Sequence, residues 1–205
     1  MEKKSDLFIA AQSFLTESEQ KRQKDFKYIG DKTGLAPVSI EKDWWITLVL
    51  RSVYALPYAD SIQFKGGTSL SKCWGIINRF SEDIDLAINR DYLGFSGELS
   101  KNQVSDKLRR ASKTFILNDF EPRLTEFLQK LLPEGIKVSV TDNRNEIPTQ
   151  DPVQIYIDYH SVYGNDFYIQ PRITLEITGR SNSLALGKGQ VSSIVEDFMA
   201  KESPA

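Results

Sequence analysis

The most informative stretch of this sequence reads FKGGTSLSK over Phe64–Lys72. Residues from Ile62 to Phe64 have a strand-like pattern and two adjacent glycines follow, so the stretch predicts a strand, a tight turn and a helix that runs to Ile77. Glycines at such a turn let the backbone approach a ligand closely, and the first N–H groups of the helix can bind an anion. The same residues also suit an ordinary turn before a helix, so the glycine pair alone does not establish a phosphate site.

Hydroxyl and ammonium groups follow the two glycines. Thr68 and Ser69 place hydroxyl donors at the predicted helix N-terminus, and Lys72 adds a positive charge one turn later. Together with Gly66 and Gly67, these residues are candidate ligands for phosphate groups.

A second motif, Asp83-Ile84-Asp85-Leu86, follows after a short spacer. Apolar residues alternate with acidic ones, which predicts a strand with one face in the core and both aspartates on the other face. Carboxylates at positions i and i+2 of a strand lie about 7 Å apart, so both can converge on hard cations that prefer oxygen ligands. An exposed polar face explains one aspartate equally well, but it explains less well a polar face that is only acidic.

The surrounding pattern predicts an α/β (α+β) domain, with a mixed β-sheet flanked by helices. Helical spacing begins at Ser5, a helix ends at Gly34 as its C-cap, and Ser39 caps a helix from Ile40 to Leu56. The later elements are two helices within Asn102–Leu132, interrupted near Pro122, and strands at Ile136–Val140, Val153–Tyr159 and Tyr168–Ile177. We expect an N-terminal helical segment over residues 1–57, packed on a core domain over residues 58–200.

Composition excludes several classes of protein. The chain has 205 residues, of which 40% are hydrophobic and 26% charged, as in an ordinary folded domain. Its 26 basic and 28 acidic residues give a net charge of −2, so no overall positive field is available to capture nucleic acid. Cys73 is the single cysteine and cannot form an internal disulfide, and the sequence has neither a signal peptide nor a long apolar run. We expect a cytoplasmic protein without a membrane partner.

In four places along the chain, the sequence resembles the nucleotidyltransferases of the AbiEii/AbiGii toxin type, within the DNA polymerase β-like superfamily. The superfamily signature is a hydrophobic residue, Gly and then Gly or Ser, followed after a spacer by a strand reading Asp-hydrophobic-Asp/Glu-hydrophobic. The resemblance runs from about Ile40 to Ile194. The matching segments are Glu41–Trp45, Phe64–Lys72, Arg79–Leu86 and Arg172–Ile177.

The resemblance implies a nucleotidyltransferase fold and a metal-dependent transfer of a nucleoside monophosphate from a nucleoside triphosphate (NTP) to an acceptor, with loss of pyrophosphate. The stretch Gly66–Ser69 would cradle the triphosphate, and Asp83 and Asp85 would ligate two Mg²⁺ ions. Such a transfer requires mainly positioning and neutralisation of charge, which paired metal ions provide. The resemblance further implies a toxin that acts on an RNA, such as a tRNA end, and that has an antitoxin protein as its partner.

A third carboxylate normally completes such a site from a neighbouring strand, where it ligates a metal ion or accepts the proton of the attacking hydroxyl. Glu176 is the preferred candidate, because it lies on the polar side of an alternating strand and inside a matching segment. Asp158, on the polar side of Val153–Tyr159, is the competing candidate.

Relatives usually continue past the strand cluster into a helical region with a lysine and an aspartate that contribute to the site. No matching segment precedes Ala205, so we expect that region to be absent from this chain. A second hypothesis is therefore a catalytically silent module that keeps the fold and binds a nucleotide or a protein. A third is transfer to a hydroxyl group of a small molecule or a protein.

Three other features have ordinary structural interpretations. His160 follows a strand and is predicted to be a turn or surface residue. Cys73 lies on an apolar helix face, which favours a buried thiol over a nucleophile. The basic stretch Lys107–Lys113 is typical of a solvated helix face, with an RNA backbone contact as the alternative.

Overall fold

A mixed β-sheet lies at the centre of the protein. The computed structural model describes residues 9, 13–77, 82–132, 136–140, 153–164, 168–179 and 187–202. Within these residues five strands form one sheet in the order β1-β2-β5-β4-β3. The pair β2 and β5 is parallel, and the other neighbouring pairs are antiparallel. The strands are β1 (Ile62–Lys65), β2 (Asp83–Ile88), β3 (Ile136–Val140), β4 (Val153–Tyr159) and β5 (Arg172–Thr178).

Helices precede, interrupt and follow these strands. The α-helices are α1 (Glu19–Thr33), α2 (Pro37–Tyr54), α3 (Gly66–Lys72), α4 (Arg109–Phe115), α5 (Glu121–Leu131) and α6 (Ile194–Glu202). A short 3₁₀ turn covers Ala59–Ser61, and π-helical turns cover Gln103–Leu108 and Ile116–Phe120. No helix in the described part of the chain is long and apolar enough to cross a membrane. The predicted mixed sheet flanked by helices is therefore confirmed.

The ends of the first two helices follow from their capping residues. The predicted C-cap at Gly34 is confirmed, because Gly34 has φ 77° and donates its N–H to the carbonyl of Gly30. The predicted start of α2 is wrong: the cap is Ala36, Pro37 takes the first helical position, and Ser39 lies inside the first turn. Proline suits this position because its φ is already helical and it needs no hydrogen-bond acceptor. The segment that begins at Ser5 lies mostly outside the described residues.

Three other boundaries differ from the predicted ones. The predicted interruption at Pro122 is absent, because Phe120 and Glu121 keep right-handed helical angles and Pro122 falls in the first turn of α5, where a missing N–H is tolerated. The helix after the glycines starts at Gly66 and ends at Lys72, short of Ile77. Strand β5 starts at Arg172, after Pro171, and not at Tyr168.

The apolar face of the sheet packs against α2 and α5. Alternate residues of β2, β4 and β5 are buried on this face, and α2 and α5 cover them with large apolar side chains. The sheet contributes Ile84, Leu86, Ile155, Ile157, Ile173 and Leu175, and the helices contribute Trp45, Ile46, Val49, Leu50, Leu124 and Leu128. Burial of each such side chain contributes about 1.5–3 kcal/mol. Because α2 shares this core with the sheet, the polar residues of the strands lie on the other face of the sheet. The boundary near residue 57, between an N-terminal helical segment and a core domain, stays a prediction.

Candidate active site

Three predicted acids lie side by side on the polar face of the sheet. Asp85 on β2 is the register partner of Glu176 on the parallel strand β5, and Asp83 is the partner of Thr174. On its other side Asp85 is paired with Lys65, the last residue of β1. Residues two apart on a strand share one face. The register therefore brings Asp83, Asp85 and Glu176 into two adjacent rows of one surface.

The glycine turn meets this acidic surface at Gly66. Gly66 is the first residue of α3 and has φ 74°, a left-handed conformation that side chains rarely adopt. A Cβ atom on Gly66 would lie 2.0 Å from Oδ2 of Asp85. Only glycine therefore lets the backbone of the turn come this close to the carboxylate. The turn and the acidic strand, which the sequence predicts as two separate motifs, lie in contact.

The electrostatics of the acidic surface are those of gathered like charges. Burial raises the pKa of Asp83, and the nearby charge of Glu176 raises it further, while a hydrogen bond from Thr174 opposes the shift. Burial also raises the pKa of Asp85, against the ammonium of Lys65, whose Nζ lies 3.9 Å from Oδ1. Repulsion of this kind is relieved by a bound cation. The surface is therefore arranged to favour positive charge.

The two hydroxyl residues of the turn are both buried. Thr68 is buried, and its hydroxyl donates to the backbone carbonyl of Asp83. Ser69 is also buried. Thr68 therefore fastens the first turn of α3 to the start of β2. This bond helps to hold Gly66 against Asp85.

Lys72 does not face the site. Its Nζ forms an ion pair with Oδ1 of Asp43 at 2.6 Å, and only 9% of the lysine side chain and 7% of the aspartate side chain are exposed. The same ammonium donates to Oγ1 of Thr47 at 2.9 Å and to the carbonyl of Ser192 at 3.1 Å. An ammonium has three N–H donors, so these contacts occupy all of them. The prediction of Lys72 as a phosphate ligand is corrected: it joins α3 to α2 and to the chain before α6.

The two candidates for the third carboxylate have different surroundings. Asp158 forms a two-pronged ion pair with Arg172, with Nε–Oδ1 at 2.6 Å and Nη2–Oδ2 at 3.1 Å. Glu176 accepts a hydrogen bond from the neutral amide of Gln154 at 2.8 Å and is the register partner of Asp85. The hydrogen-bond donor to Glu176 is neutral, whereas the donor to Asp158 is a cation that would compete with a metal ion. The arrangement favours Glu176 over Asp158.

Two residues that were not predicted from the sequence hold Glu176 in place through hydrogen bonds. Gln154 donates to Glu176, and the hydroxyl of Tyr156 donates to Oε1 of Gln154 at 2.7 Å. Both lie on the polar side of the alternating strand β4. The alternation places them on one face, but only the register of β4 against β5 brings Gln154 to Glu176.

Lys42, for which the matching motif suggests no role, contacts the residues that lead into strands β2 and β5. It is 2% exposed, and its Nζ contacts Oε2 of Glu82 at 2.6 Å and the carbonyl of Gln170 at 3.2 Å. Glu82 immediately precedes Asp83, and Gln170 lies two residues before β5. The positive charge of Lys42 also lowers the pKa of Asp83, against the stronger effect of burial. Lys42 therefore positions the two parallel strands that carry the acids.

The remaining candidates lie away from the acidic surface or outside the described residues. His160 is exposed, with its Nε2 2.9 Å from Oε1 of Glu19, which confirms a surface residue. Burial raises the pKa of Cys73, unlike that of an activated nucleophile. In the basic stretch, Arg110 is exposed and pairs with Asp106 one helical turn away. Arg79 lies outside the described residues.

The donor set of the acidic surface suits a hard divalent cation. Asp83, Asp85 and Glu176 supply only carboxylate oxygens, the ligands that Mg²⁺ prefers, and burial raises the pKa values of the two aspartates despite the nearby ammonium groups of Lys42 and Lys65. Among the described residues, no group of three or more His, Cys, Asp or Glu side chains is gathered closely enough to hold a metal ion. The residues fit the ion in chemistry and register, and their side chains would have to converge to bind it.

Comparison with known proteins identifies the family. Residues 48–205 match the family model described as nucleotidyl transferase AbiEii toxin, type IV TA (toxin–antitoxin) system. This match covers more than half of the chain and includes the glycine turn and the three acids. No curated protein matches the chain. The chain belongs to the AbiEii nucleotidyl transferase toxin family of type IV toxin–antitoxin systems.

Proposed function

We propose that this protein transfers a nucleoside monophosphate from an NTP to an RNA acceptor, such as a tRNA end, and that the transfer depends on Mg²⁺. One observation carries the proposal: Gly66 touches Asp85 on one side, and Glu176 is the register partner of Asp85 on the other. A turn for phosphates, an acid for the cation and an acid for the proton then lie in one row. Family membership supports the reaction class.

Each residue of the candidate site has a role in the proposed reaction that its position allows. The backbone of Gly66 and Gly67 approaches the triphosphate, because no side chain intervenes. Asp83 and Asp85 would hold divalent cations, two Mg²⁺ ions in the proposed reaction, which would supply positive charge beside the phosphates. Glu176 ligates a metal ion or accepts the proton of the acceptor hydroxyl.

The proposed reaction balances without a further reactant. The acceptor oxygen forms a bond to the α-phosphorus while the bond between the α-phosphorus and the bridging oxygen breaks. The electron pair of that bond leaves with pyrophosphate, and the hydroxyl proton goes to Glu176. The protein contributes position and charge, which are the main requirements of phosphoryl transfer.

The partners of this reaction follow from the family and from the charge of the chain. Membership of a toxin–antitoxin family supports an antitoxin protein as partner and a cytoplasmic site of action. The net charge of −2 means that an RNA acceptor would be recognised by a local surface and not by the overall field.

The decisive experiment incubates the protein with each labelled NTP, Mg²⁺ and total RNA, and compares wild type with Asp83→Ala. We expect label to enter RNA only with metal present and only with wild type. Equal signals from the two proteins would overturn the proposal. Label in the protein fraction or in a small molecule would instead support transfer to another hydroxyl acceptor.

A catalytically silent module that binds a nucleotide is the second candidate. Two observations favour it: the three acids are not gathered into a ready metal site, and Lys72 is committed to Asp43. Calorimetric titration with each NTP separates the two candidates. Binding without transfer in any fraction would establish the module.

A further inference from the structure

We propose that Gln154 and Tyr156 are positioning residues that hold Glu176 in the orientation needed for proton transfer or metal binding. The inference rests on the proposed function and deepens it. Its basis is a continuous chain of side-chain contacts across the polar face of β4 and β5, which ends at Glu176.

The first link is the bond between Gln154 and Glu176. The two residues are register partners on antiparallel strands, and Nε2 of Gln154 donates to Oε1 of Glu176 at 2.8 Å. Both side chains are half-buried. Because Oε1 receives this donor, Oε2 is the oxygen left for a metal ion or a proton. The bond thereby assigns different tasks to the two oxygens of one carboxylate.

The second link determines which way the amide faces. Tyr156 donates its hydroxyl to Oε1 of Gln154 at 2.7 Å. An amide offers donors at one end and an acceptor at the other, so a donor at its oxygen keeps its NH₂ group towards Glu176. If the amide turned over, its NH₂ group would face the tyrosine and its oxygen would face a carboxylate, which repels it. Tyr156 therefore fixes Gln154, and Gln154 fixes Glu176.

An ion pair holds the Tyr156 end of this chain of side-chain contacts in place. The guanidinium of Arg172 lies over the ring of Tyr156, 4.9 Å from its centroid, and the same group is held by Asp158. Asp158, the competing candidate for the third carboxylate, thus holds the Tyr156 end of this chain of contacts in place. Side chains held in this way lose little freedom when the reaction geometry forms.

Removal of such supporting bonds typically lowers activity or metal affinity by 10–100-fold. We expect Gln154→Met, which keeps length and removes the hydrogen bonds, to lower kcat by about 10-fold or more. Tyr156→Phe removes one hydroxyl and should give a smaller decrease. The double variant should equal Gln154→Met alone, because both changes break the same chain. KM for the NTP should stay unchanged, since two strands separate β4 from β1, the strand that leads into the glycine turn.

The experiment measures kcat and KM for wild type, Gln154→Met, Tyr156→Phe, the double variant and Glu176→Gln. Gln63→Met is the matched control, because Gln63 is a half-buried glutamine on β1, two positions from Lys65 on the same strand. Wild-type kcat in Gln154→Met, together with an inactive Glu176→Gln, would overturn this inference and leave the proposed function intact. An active Asp83→Ala would instead overturn the proposed function.

A second measurement does not depend on catalysis. Titration of Mn²⁺ into the same proteins, followed by calorimetry, reports the cation affinity of the acidic surface. We expect about 10-fold weaker binding in Gln154→Met and unchanged binding in Gln63→Met. If kcat and Mn²⁺ affinity are both the same in Gln154→Met and in wild type, Gln154 has no positioning role. If Tyr156→Phe keeps the melting temperature of wild type, a decrease in its kcat or Mn²⁺ affinity reflects lost positioning and not a loss of fold.

Discussion

The first turns of α2 and the polar face of the sheet both gather charged side chains, but their charges are arranged in opposite ways. On α2, Glu41, Lys42 and Asp43 are consecutive and each is at most 5% exposed. Asp43 faces Lys72, and Lys42 faces Glu82. In this charged triplet, Glu41–Asp43, Lys42 and Asp43 each form an ion pair, and Glu41 accepts hydrogen bonds from Ser161 and Val162.

The acidic surface formed by Asp83, Asp85 and Glu176 contains three groups of one sign. Partial burial, and to a smaller extent their mutual repulsion, raise the pKa values of both aspartates. Natural proteins tolerate such destabilising arrangements where they serve function. The comparison teaches that two short charged motifs of similar appearance in the sequence can differ in the folded protein: the charged triplet is paired within the fold, whereas the acidic surface gathers groups of one sign.

Hydrogen bonds and ion pairs also connect the charged triplet with the acidic surface. Lys42 is bonded to the residue before Asp83, and Asp43 holds Lys72 at the end of the helix that begins with Gly66. Damage to the charged triplet should therefore lower stability first and activity as a consequence. Damage to the acidic surface should lower activity alone.

The largest expected effect on stability is that of Asp43→Ala. The change leaves the buried ammonium of Lys72 without its carboxylate and the N–H of Ile194 without its acceptor. Breaking one side of a buried ion pair costs about 3–5 kcal/mol. Urea denaturation monitored by circular dichroism should show this decrease in the free energy of unfolding.

Two controls test whether the pair itself is responsible. Glu126→Ala breaks an exposed pair with Lys130 and should leave the urea midpoint unchanged. Asp43→Leu combined with Lys72→Met removes both charges and should be less damaging than Asp43→Ala. A loss below about 1 kcal/mol in Asp43→Ala would show that the charged triplet is no more structural than the acidic surface.

The sequence predicts the acidic surface better than it predicts the residues that hold this surface in place, and the reason is physical. The glycine turn and the alternating Asp83–Ile88 strand are local patterns, and local spacing determines which side chains share a face. Lys72 also looked functional by local spacing. Its partners are Asp43 upstream and Ser192 downstream, at sequence separations that no local pattern reports.

Gln154 escaped prediction for the same reason. Its task depends on the register of β4 against β5, and a one-residue slip would send it to the apolar face. The choice of Glu176 over Asp158 rested on pattern, and the structure supplied what the pattern lacked, the pairing of Asp158 with Arg172. Short-range periodicity thus predicts the elements and the faces, while cross-strand and interhelical partners need the folded structure.

The next effect in size concerns the glycine that joins the two motifs. Gly66→Ala places a Cβ atom against Asp85 and forces a side chain into a left-handed conformation. The conformation alone costs about 1–2 kcal/mol. Gly94→Ala is a matched control, because Gly94 has φ 84° and open space around the added atom. We expect similar losses of stability in both variants and a loss of nucleotidyl transfer only in Gly66→Ala, since Asp85 must move there.

A transfer rate in Gly66→Ala equal to that of Gly94→Ala would contradict the close contact between the turn and the carboxylate. Metal titration sharpens the result. Displacement of Asp85 should weaken Mn²⁺ binding in Gly66→Ala and leave it unchanged in Gly94→Ala.

A smaller effect is expected for Glu41→Gln, at the acid of the charged triplet that is held by hydrogen bonds from Ser161 and Val162. Its oxygens accept from the hydroxyl of Ser161 at 2.6 Å and from the N–H of Val162 at 2.9 Å. An amide can keep both contacts, since Ser161 can accept as well as donate. Glu41→Gln should therefore cost at most about 1 kcal/mol, and Glu41→Ala about 2 kcal/mol or more.

The pH dependence of Glu41→Gln has a definite sign. Burial raises the pKa of Glu41 above its ordinary value of 4.5, so the folded state binds a proton more readily than the unfolded state. The wild-type contribution to stability then decreases as the pH rises from the ordinary to the raised value. Urea titrations across this window should show the stability difference shifting in favour of Glu41→Gln as the pH rises. A shift in the opposite direction would mean that the carboxylate is stabilised in its charged form.

The smallest effect, and the sharpest test of the comparison, is that of Asp83→Asn. Because the folded state raises the pKa of Asp83, neutralising this group should stabilise the cation-free protein at neutral pH. Asparagine still offers an oxygen to the hydroxyl of Thr174, and solvent screens the charge of the exposed Asp83 side chain, so a gain of at most about 0.5 kcal/mol is expected. With Mn²⁺ present the order should reverse, because wild type gains stability from a cation that the variant binds more weakly. Melting temperatures with and without the ion measure both signs. A lower melting temperature for Asp83→Asn without any cation would mean that Asp83, like Asp43, serves the fold.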